Sequence, residues 1–233
     1  MALWGLYEEL RPREVDAIVA KAPIAYLPWG ALEWHSYQNP IGLDALKAHA
    51  LCQKAAERTG GVVWPPVFAG YQTMKPHGRF RHTIEVPAET VMALANAYLD
   101  QCADEGFKLV VILMGHFGGE HVKALMHVAD NWRAVRHPES DMQVWATPEN
   151  QAPEEAPLPG DHAGAYETSL MLYLRPELVD LSQLPTEGDI IGAREVYGVS
   201  GEDPRGATAE RGTELSAAIV DGLVRGVARR LGS

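Results

Sequence analysis

Short, almost wholly apolar runs alternate along the chain with longer stretches whose apolar residues recur at helical spacing. The run V-V-I-L-M inside 108–114 predicts a strand buried on both faces. Shorter runs predict strands over 24–27, closed by Pro28 and Gly30, and over 62–67, ending in Pro65 and Pro66. Two more are predicted over 83–86 and 142–146. Between them, Leu43–Thr59 carries Leu46, Ala50, Leu51 and Ala55 at helical spacing and stops at Gly60 and Gly61. A long helix over 87–106 has Pro87 and Glu89 in its first turn and Gly106 at its stop. Further helices are predicted over 13–20, 120–135, Ala165–Leu174 and 207–231, the last starting near Thr208. A Gly-rich basic stretch, 69–82, and a Pro/Glu-rich stretch, 147–161, read as loops.

Strands alternating with helices of this length predict parallel βαβ units. The expected fold class is therefore α/β, a three-layer α/β/α sandwich on a mainly parallel sheet. No internal repeat or low-complexity tract divides the 233 residues, so a single domain is expected. The 147–160 segment reads as an active-site loop within it.

The formal charge of -11 argues against nucleic acid as a partner, because binding phosphates needs a concentrated basic surface. It also means that an anionic substrate must be captured locally. Cys52 and Cys102 lie in predicted helices without CxxC spacing, which points to free buried thiols and a reducing compartment. No basic region followed by an apolar run opens the chain, and no stretch reaches membrane-spanning length. A soluble, cytoplasmic protein without a membrane partner is the expectation.

Candidate chemistry gathers just past the predicted strands. L-P-W-G-A-L-E-W-H-S-Y-Q-N-P-I-G-L-D at 27–44 supplies Glu33, His35 and Asp44, and V-V-I-L-M-G-H-F-G-G-E-H at 110–121 supplies His116. G-D-H-A-G-A-Y-E-T-S at 160–169 adds His162 and Glu167. Ligands of open α/β sheets bind beyond the carboxyl ends of the strands, so these segments are expected to converge on one crevice. An isolated Glu-x-His is usually structural; three Gly-flanked segments at equivalent strand ends are a stronger signal. Carboxylates mixed with imidazoles suit Zn²⁺, Mn²⁺ or Fe²⁺. Several carboxylates beside two or three histidines suggest two ions bridged by one carboxylate, a pair that acidifies water and polarises a carbonyl.

These segments resemble the creatininase (creatinine amidohydrolase) family. L-P-W-G-A-L-E-W-H…G-L-D is similar to that family's Gly-x-x-Glu-x-His and Gly-x-Asp signature, and M-G-H-F-G-G to its Asn-Gly-His-Gly-Gly-Asn. H-A-G-A-Y-E-T-S resembles its His-Ala-Gly-x-x-Glu-Thr-Ser, and G-E-D-P-R-G-A-T-A-E-R-G its Gly-x-Pro-x-x-Ala-Thr-Ala-Glu-x-Gly. The matches run in order from about 24 to 214.

The resemblance implies two divalent metal ions (Zn, Mn or Fe). Glu33 and His116 would hold one and His35 the other, with Asp44 bridging and Glu167 completing the second position. Some members place a Glu two residues after the strand-end His, where this chain has Gly118; Glu120 is the weaker alternative to Glu167. His162 would be the proton shuttle or substrate-orienting group. Ser36 stands where the family usually has Gly, Gln38 where a His is frequent, and Met114 where Asn is usual. These departures bear on the substrate more than on the reaction.

The implied reaction is hydrolysis of a non-peptide C–N bond, in a cyclic amide or a formamide, through a metal-bound hydroxide. A homo-oligomer, a hexamer, is implied by the family. The same ligands would also suit a two-metal phosphoesterase, or a catalytically inactive ligand-binding member. A serine nucleophile is not expected without a Gly-x-Ser-x-Gly elbow, and H-F-G-G-E is not a phosphate loop. Two secondary expectations concern the pocket. Lys75, His77, Arg79, Arg81 and His82 would meet an anionic group of the small-molecule substrate, against the plainer reading of a solvated loop. Trp34, Trp145 and Tyr166 would line a pocket for a flat ring, against the plainer reading of core residues.

Overall fold

The computed structural model describes residues 2–232. The chain opens with β1 (Trp4–Leu6), α1 (Pro12–Val19) and β2 (Ile24–Gly30). It continues through α2 (Leu43–Thr59), β3 (Gly61–Val63), β4 (Val67–Phe68) and α3 (Met74–Gly78). Next come α4 (Ala88–Asp104), β5 (Leu109–Met114), α5 (Gly119–Arg136) and β6 (Gln143–Pro148). The chain closes with α6 (Ala165–Leu174), α7 (Arg194–Tyr197) and α8 (Ala209–Leu231).

The strands pair in parallel in the order β1-β3-β2-β5-β6, with β4 also pairing β2. Side chains alternate across this sheet and divide the core in two. Ala25, Leu27, Trp29, Val110, Ile112 and Met114 pack with Ile18 of α1, Val91 and Leu99 of α4, and Leu125 and Trp132 of α5. Ile24, Tyr26, Leu109, Val111 and Leu113 pack with Leu51 and Ala55 of α2, Leu170 of α6 and Leu223 of α8. A parallel sheet covered on both faces is the three-layer α/β sandwich that the hydrophobic pattern predicts. Consecutive connections leave β2 toward β3 on one side and reach β5 on the other. The carboxyl ends of β2 and β5 therefore flank the topological switch point, where open α/β sheets form their crevice.

Several elements depart from the sequence reading. β2 runs on through Pro28 to Gly30 instead of stopping at Leu27. The reading of 62–67 as one strand is corrected to two: three steps along β2, Tyr26 to Trp29, face four along the neighbour, Val63 to Val67. The extra residue is a bulge at Pro65 and Pro66. Pro28, with no N–H to give, faces that interruption, so no ladder bond is lost. Residues 83–86 form no strand, because their donors go to separate loops: Ile84 N–H to the Leu32 carbonyl (2.9 Å) and Val86 N–H to Gly70 (2.8 Å). The basic loop contains the short helix α3, capped by the Thr73 hydroxyl. The short strand β1 was not predicted. Cys52 and Cys102 are buried free thiols. Among the described residues, no helix is long and apolar enough to cross a membrane.

Candidate metal centre

Two glycines build the floor of the site. Gly30 ends β2 and Gly115 follows β5, and the first turn of α2 lies directly on both. A Cβ at Gly30 would stand 2.5 Å from Asp44 Cβ, and one at Gly115 would stand 2.1 Å from the Asp44 carbonyl oxygen. Only glycine permits this approach. The Gly of each motif thus sets Asp44 between the ends of the two central strands.

Glu33 and His35 arrive on the loop that leaves β2. The Glu33 N–H donates to the Ile41 carbonyl (2.9 Å), closing that loop, and Oε1 of Glu33 accepts from the Met74 N–H (2.6 Å) at the start of α3. His116 follows β5, and His162 and Glu167 come from the entry to α6. Three overlapping groups result, each with one ligand atom per residue and all atoms within 4.8 Å: Glu33, Asp44 and His116; His35, Asp44 and Glu167; Glu33, His35 and His162. His116 Nδ1 lies 2.9 Å from Glu33 Oε2 and 3.3 Å from Asp44 Oδ2. On the other side, His35 Nε2 lies 3.1 Å from Asp44 Oδ1 and 3.6 Å from Glu167 Oε2. Asp44 thus offers one oxygen to each half.

The outer contacts orient the rings. His116 Nε2 is 3.0 Å from the Tyr71 carbonyl, His35 Nδ1 is 3.1 Å from the Glu33 carbonyl, and His162 Nε2 is 2.9 Å from the Trp34 carbonyl. A carbonyl accepts only from a protonated nitrogen, so each contact puts an N–H on that nitrogen; in His116 and His35 the other ring nitrogen faces the carboxylates. Burial works against charge on His35, but Asp44, then Glu167 and Glu33, outweigh it and raise the group to about 9. Burial and the neighbouring His35 instead hold His162 below the ordinary imidazole value.

Glu33 Oε2, His35 Nε2 and Asp44 Oδ2 are buried without a hydrogen-bond partner. Orphaned polar atoms are costly in a folded interior and call for a ligand. A carboxylate-and-imidazole set of this kind fits a divalent transition metal or zinc.

The six residues singled out from the motifs therefore stand together, with His35 and His162 ring centroids 4.4 Å apart. Glu120 does not join them: its exposed carboxylate pairs with Lys123 one turn along α5. Next to the cluster is a cavity of about 740 Å³, lined among others by Glu33, Asp44, His116, His162 and Glu167. Of the basic stretch, only His77 lines it; Lys123 and Arg194 supply its other cationic side chains. Arg79 takes a left-handed conformation (φ 55°) at the end of α3, and Arg79 and Arg81 are exposed outside the cavity lining. Trp34, Trp145 and Tyr166 do not line it either. Trp34 stacks on Phe80 and donates to the Tyr197 carbonyl, while Trp145 and Tyr166 belong to the core.

Four further groups around the cluster, three buried and Asp161 half-buried, were not predicted. Lys47, on α2, is wholly buried with Nζ 2.8 Å from Oε1 of both Glu149 and Glu167. Glu149 is pushed up to about 8 by burial, against the pull of Lys47. Asp161 accepts from the N–H groups of Tyr166 (2.8 Å) and Glu167 (3.2 Å), and burial, then Glu167, lift it to about 7. His121 packs against His116, their ring centroids 4.9 Å apart. Two signals pointed their way: Lys47 lies one turn beyond Asp44, and Glu149 directly follows a strand end, as the site motifs do.

The fold and motifs have known counterparts. The chain is 28% identical over 200 residues to the creatinine amidohydrolase of Pseudomonas putida, covering 76% of this chain and 74% of that protein. It is 29% identical over 244 residues to the mycofactocin precursor peptide peptidase of Mycobacterium tuberculosis, covering 95% and 91%. A crystal structure of creatinine amidohydrolase superposes with a TM-score of 0.80 at 25% identity, over 96% of both chains. The creatininase model, described as creatinine amidohydrolase, matches residues 8–227, and on that match the chain belongs to the creatininase family.

Proposed function

We propose that this protein is a metal-dependent amidohydrolase that cleaves a non-peptide C–N bond, in a cyclic amide or a formamide, of a small and possibly anionic molecule. The observation that carries the reading is the inward-facing set of orphaned atoms, Glu33 Oε2, His35 Nε2 and Asp44 Oδ2, beside a cavity sized for a small molecule. Glu33, Asp44 and His116 would hold one ion, and His35, Asp44 and Glu167 a second. Solved creatininases include a Zn-Zn form and a manganese form, which supports zinc or manganese here. When bound, such ions acidify water and polarise a carbonyl.

The chain's own residues supply the rest. His162, held neutral by burial and by His35, keeps an unprotonated Nδ1 on the site side because Nε2–H is committed to Trp34. That nitrogen takes the proton from the attacking water and returns it to the departing amine nitrogen. Phe117 and Met126 give the cavity an apolar wall, and Lys123 and Arg194 give it cationic side chains, beside the His77 imidazole, where an anionic substituent would be captured.

The test is hydrolysis of a panel of cyclic amides and formamides by metal-loaded protein, beside short peptides and an aryl phosphate. Turnover of an amide or formamide alone supports the reading. Peptide cleavage would shift it to the activity named for the mycobacterial relatives, and phosphate release would replace it with a phosphoesterase.

A further inference from the structure

Gln72 lines the cavity beside Thr73 and Met74, and its backbone stands in the left-handed region (φ 59°) that glycine usually fills. Strain of this kind persists where the surroundings over-determine it. Here the residue is held from two sides. The Glu85 carboxylate accepts from the backbone N–H groups of Gln72 (2.7 Å) and Thr73 (2.8 Å), and from the Thr73 hydroxyl. The Gln72 side chain reaches the other way, where its Oε1 accepts from the Glu120 N–H (2.7 Å) in the first turn of α5.

That second contact fixes which end of the carboxamide is free. A backbone N–H can only donate, so the oxygen must face α5 and the NH2 group is left over. Among the described residues no acceptor takes its hydrogens. Turning the amide round would set donor against donor, so the group cannot switch to accepting. The N-terminal end of α5 also polarises the bonded oxygen, which makes the NH2 a stronger donor. Glycine would take this backbone conformation without strain but would present no donor at all.

We propose that Gln72 is a specificity-determining residue: its NH2 group donates to a substrate carbonyl oxygen other than that of the scissile amide. The substrate class so selected is a cyclic imide, or a ring with a comparable second carbonyl. This rests on reading the cavity as an amidohydrolase site. The other polar walls suit different groups. Glu33, Asp44 and Glu167 face the metal positions, and Lys123 and Arg194 suit a charged substituent. A neutral donor that cannot turn round suits an uncharged oxygen.

Two rings alike except for the second carbonyl test this: glutarimide, which has it, and 2-piperidone, which lacks it. Binding of each is measured on full-length protein, as purified and after zinc loading, and ring opening is followed separately. Wild type should bind glutarimide at least about tenfold more tightly than 2-piperidone. The Gln72 carboxamide NMR signal, identified by its loss in Gln72→Gly, should shift with glutarimide alone. Gln72→Gly relieves the backbone and removes the donor, whereas Gln72→Glu still accepts from Glu120 but cannot donate. In both, the preference for glutarimide should vanish while Tm stays near that of wild type. If one variant does not fold, the other decides. Equal affinities in wild type, no binding of either ring, or a preference that either folded variant keeps would overturn the proposal. Ring opening with equal affinities would remove this assignment and leave the amidohydrolase reading. A Gln72-dependent preference without opening of either ring would do the reverse.

Discussion

At the scale of single residues, the site is a set of imidazoles and carboxylates whose rings are aimed by backbone carbonyls. In the proposed mechanism His162 gives Nε2–H to the Trp34 carbonyl and keeps Nδ1 for proton transfer. His162→Gln should therefore lower kcat by about a hundredfold or more while the metal content stays constant; an unchanged kcat would remove His162 from the chemistry. Ser36 explains a family preference in physical terms. It adopts φ 60° immediately after His35, and its buried hydroxyl has no partner. Ser36→Gly relieves both and should stabilise the protein by about 1 kcal/mol, read as a rise in Tm with metal binding retained. The ligand candidates were legible in the sequence because each follows a strand end inside a Gly-flanked motif. Lys47 was not, because a lysine within a helix ordinarily marks the solvent face. Here it turns inward, since Glu149 and Glu167, both distant in sequence, meet it there.

At the scale of elements, the register of α2 over the sheet edge decides whether Asp44 can serve both halves. Gly115→Ala would drive a methyl group into the Asp44 carbonyl. The expected result is a loss of a few kcal/mol in stability together with weaker metal uptake; a native-like Tm and full uptake would contradict this packing. On the opposite face, Asp100 ties α4 to α5 by accepting from Trp132 Nε1 (2.8 Å) and pairing with Arg136. The Arg136 hydrogen bond above all, helped by those of Trp132 and His137, holds its carboxyl below the usual range. A depressed carboxylate contributes stability that is present above its unfolded pKa and lost as pH falls through its folded one. Asp100→Asn should thus cost about 1 kcal/mol near neutrality, with the cost shrinking in acid; a cost independent of pH would contradict it. Helices α2 and α6 and the central strand β5 were legible because their apolar spacing is uninterrupted. β1 and the β3–β4 break were not: the first is a three-residue edge strand, and the second depends on where β2 places Pro28.

At the scale of the whole molecule, a chain of net charge -11 borders its cavity with cationic side chains from α5 and α7, Lys123 and Arg194. Local capture of an anionic substrate is an expectation from composition. That Lys123 and Arg194 border the cavity was not legible in the sequence, because they reach it only through tertiary packing. Arg194→Ala should raise KM for an anionic substrate with little change in kcat. The homo-oligomer implied by the family remains a proposal, and light scattering should give a multiple of the 25.5 kDa chain mass. The central claim, a metal centre built on Glu33, His35, Asp44, His116 and Glu167, is tested most directly by elemental analysis. Purified protein should be measured before and after titration with zinc and manganese, beside a Glu33→Ala, His35→Ala variant. The account predicts divalent metal held by the protein as purified or taken up on titration, and its loss in the variant. No ion in the purified protein and none taken up on titration would contradict it.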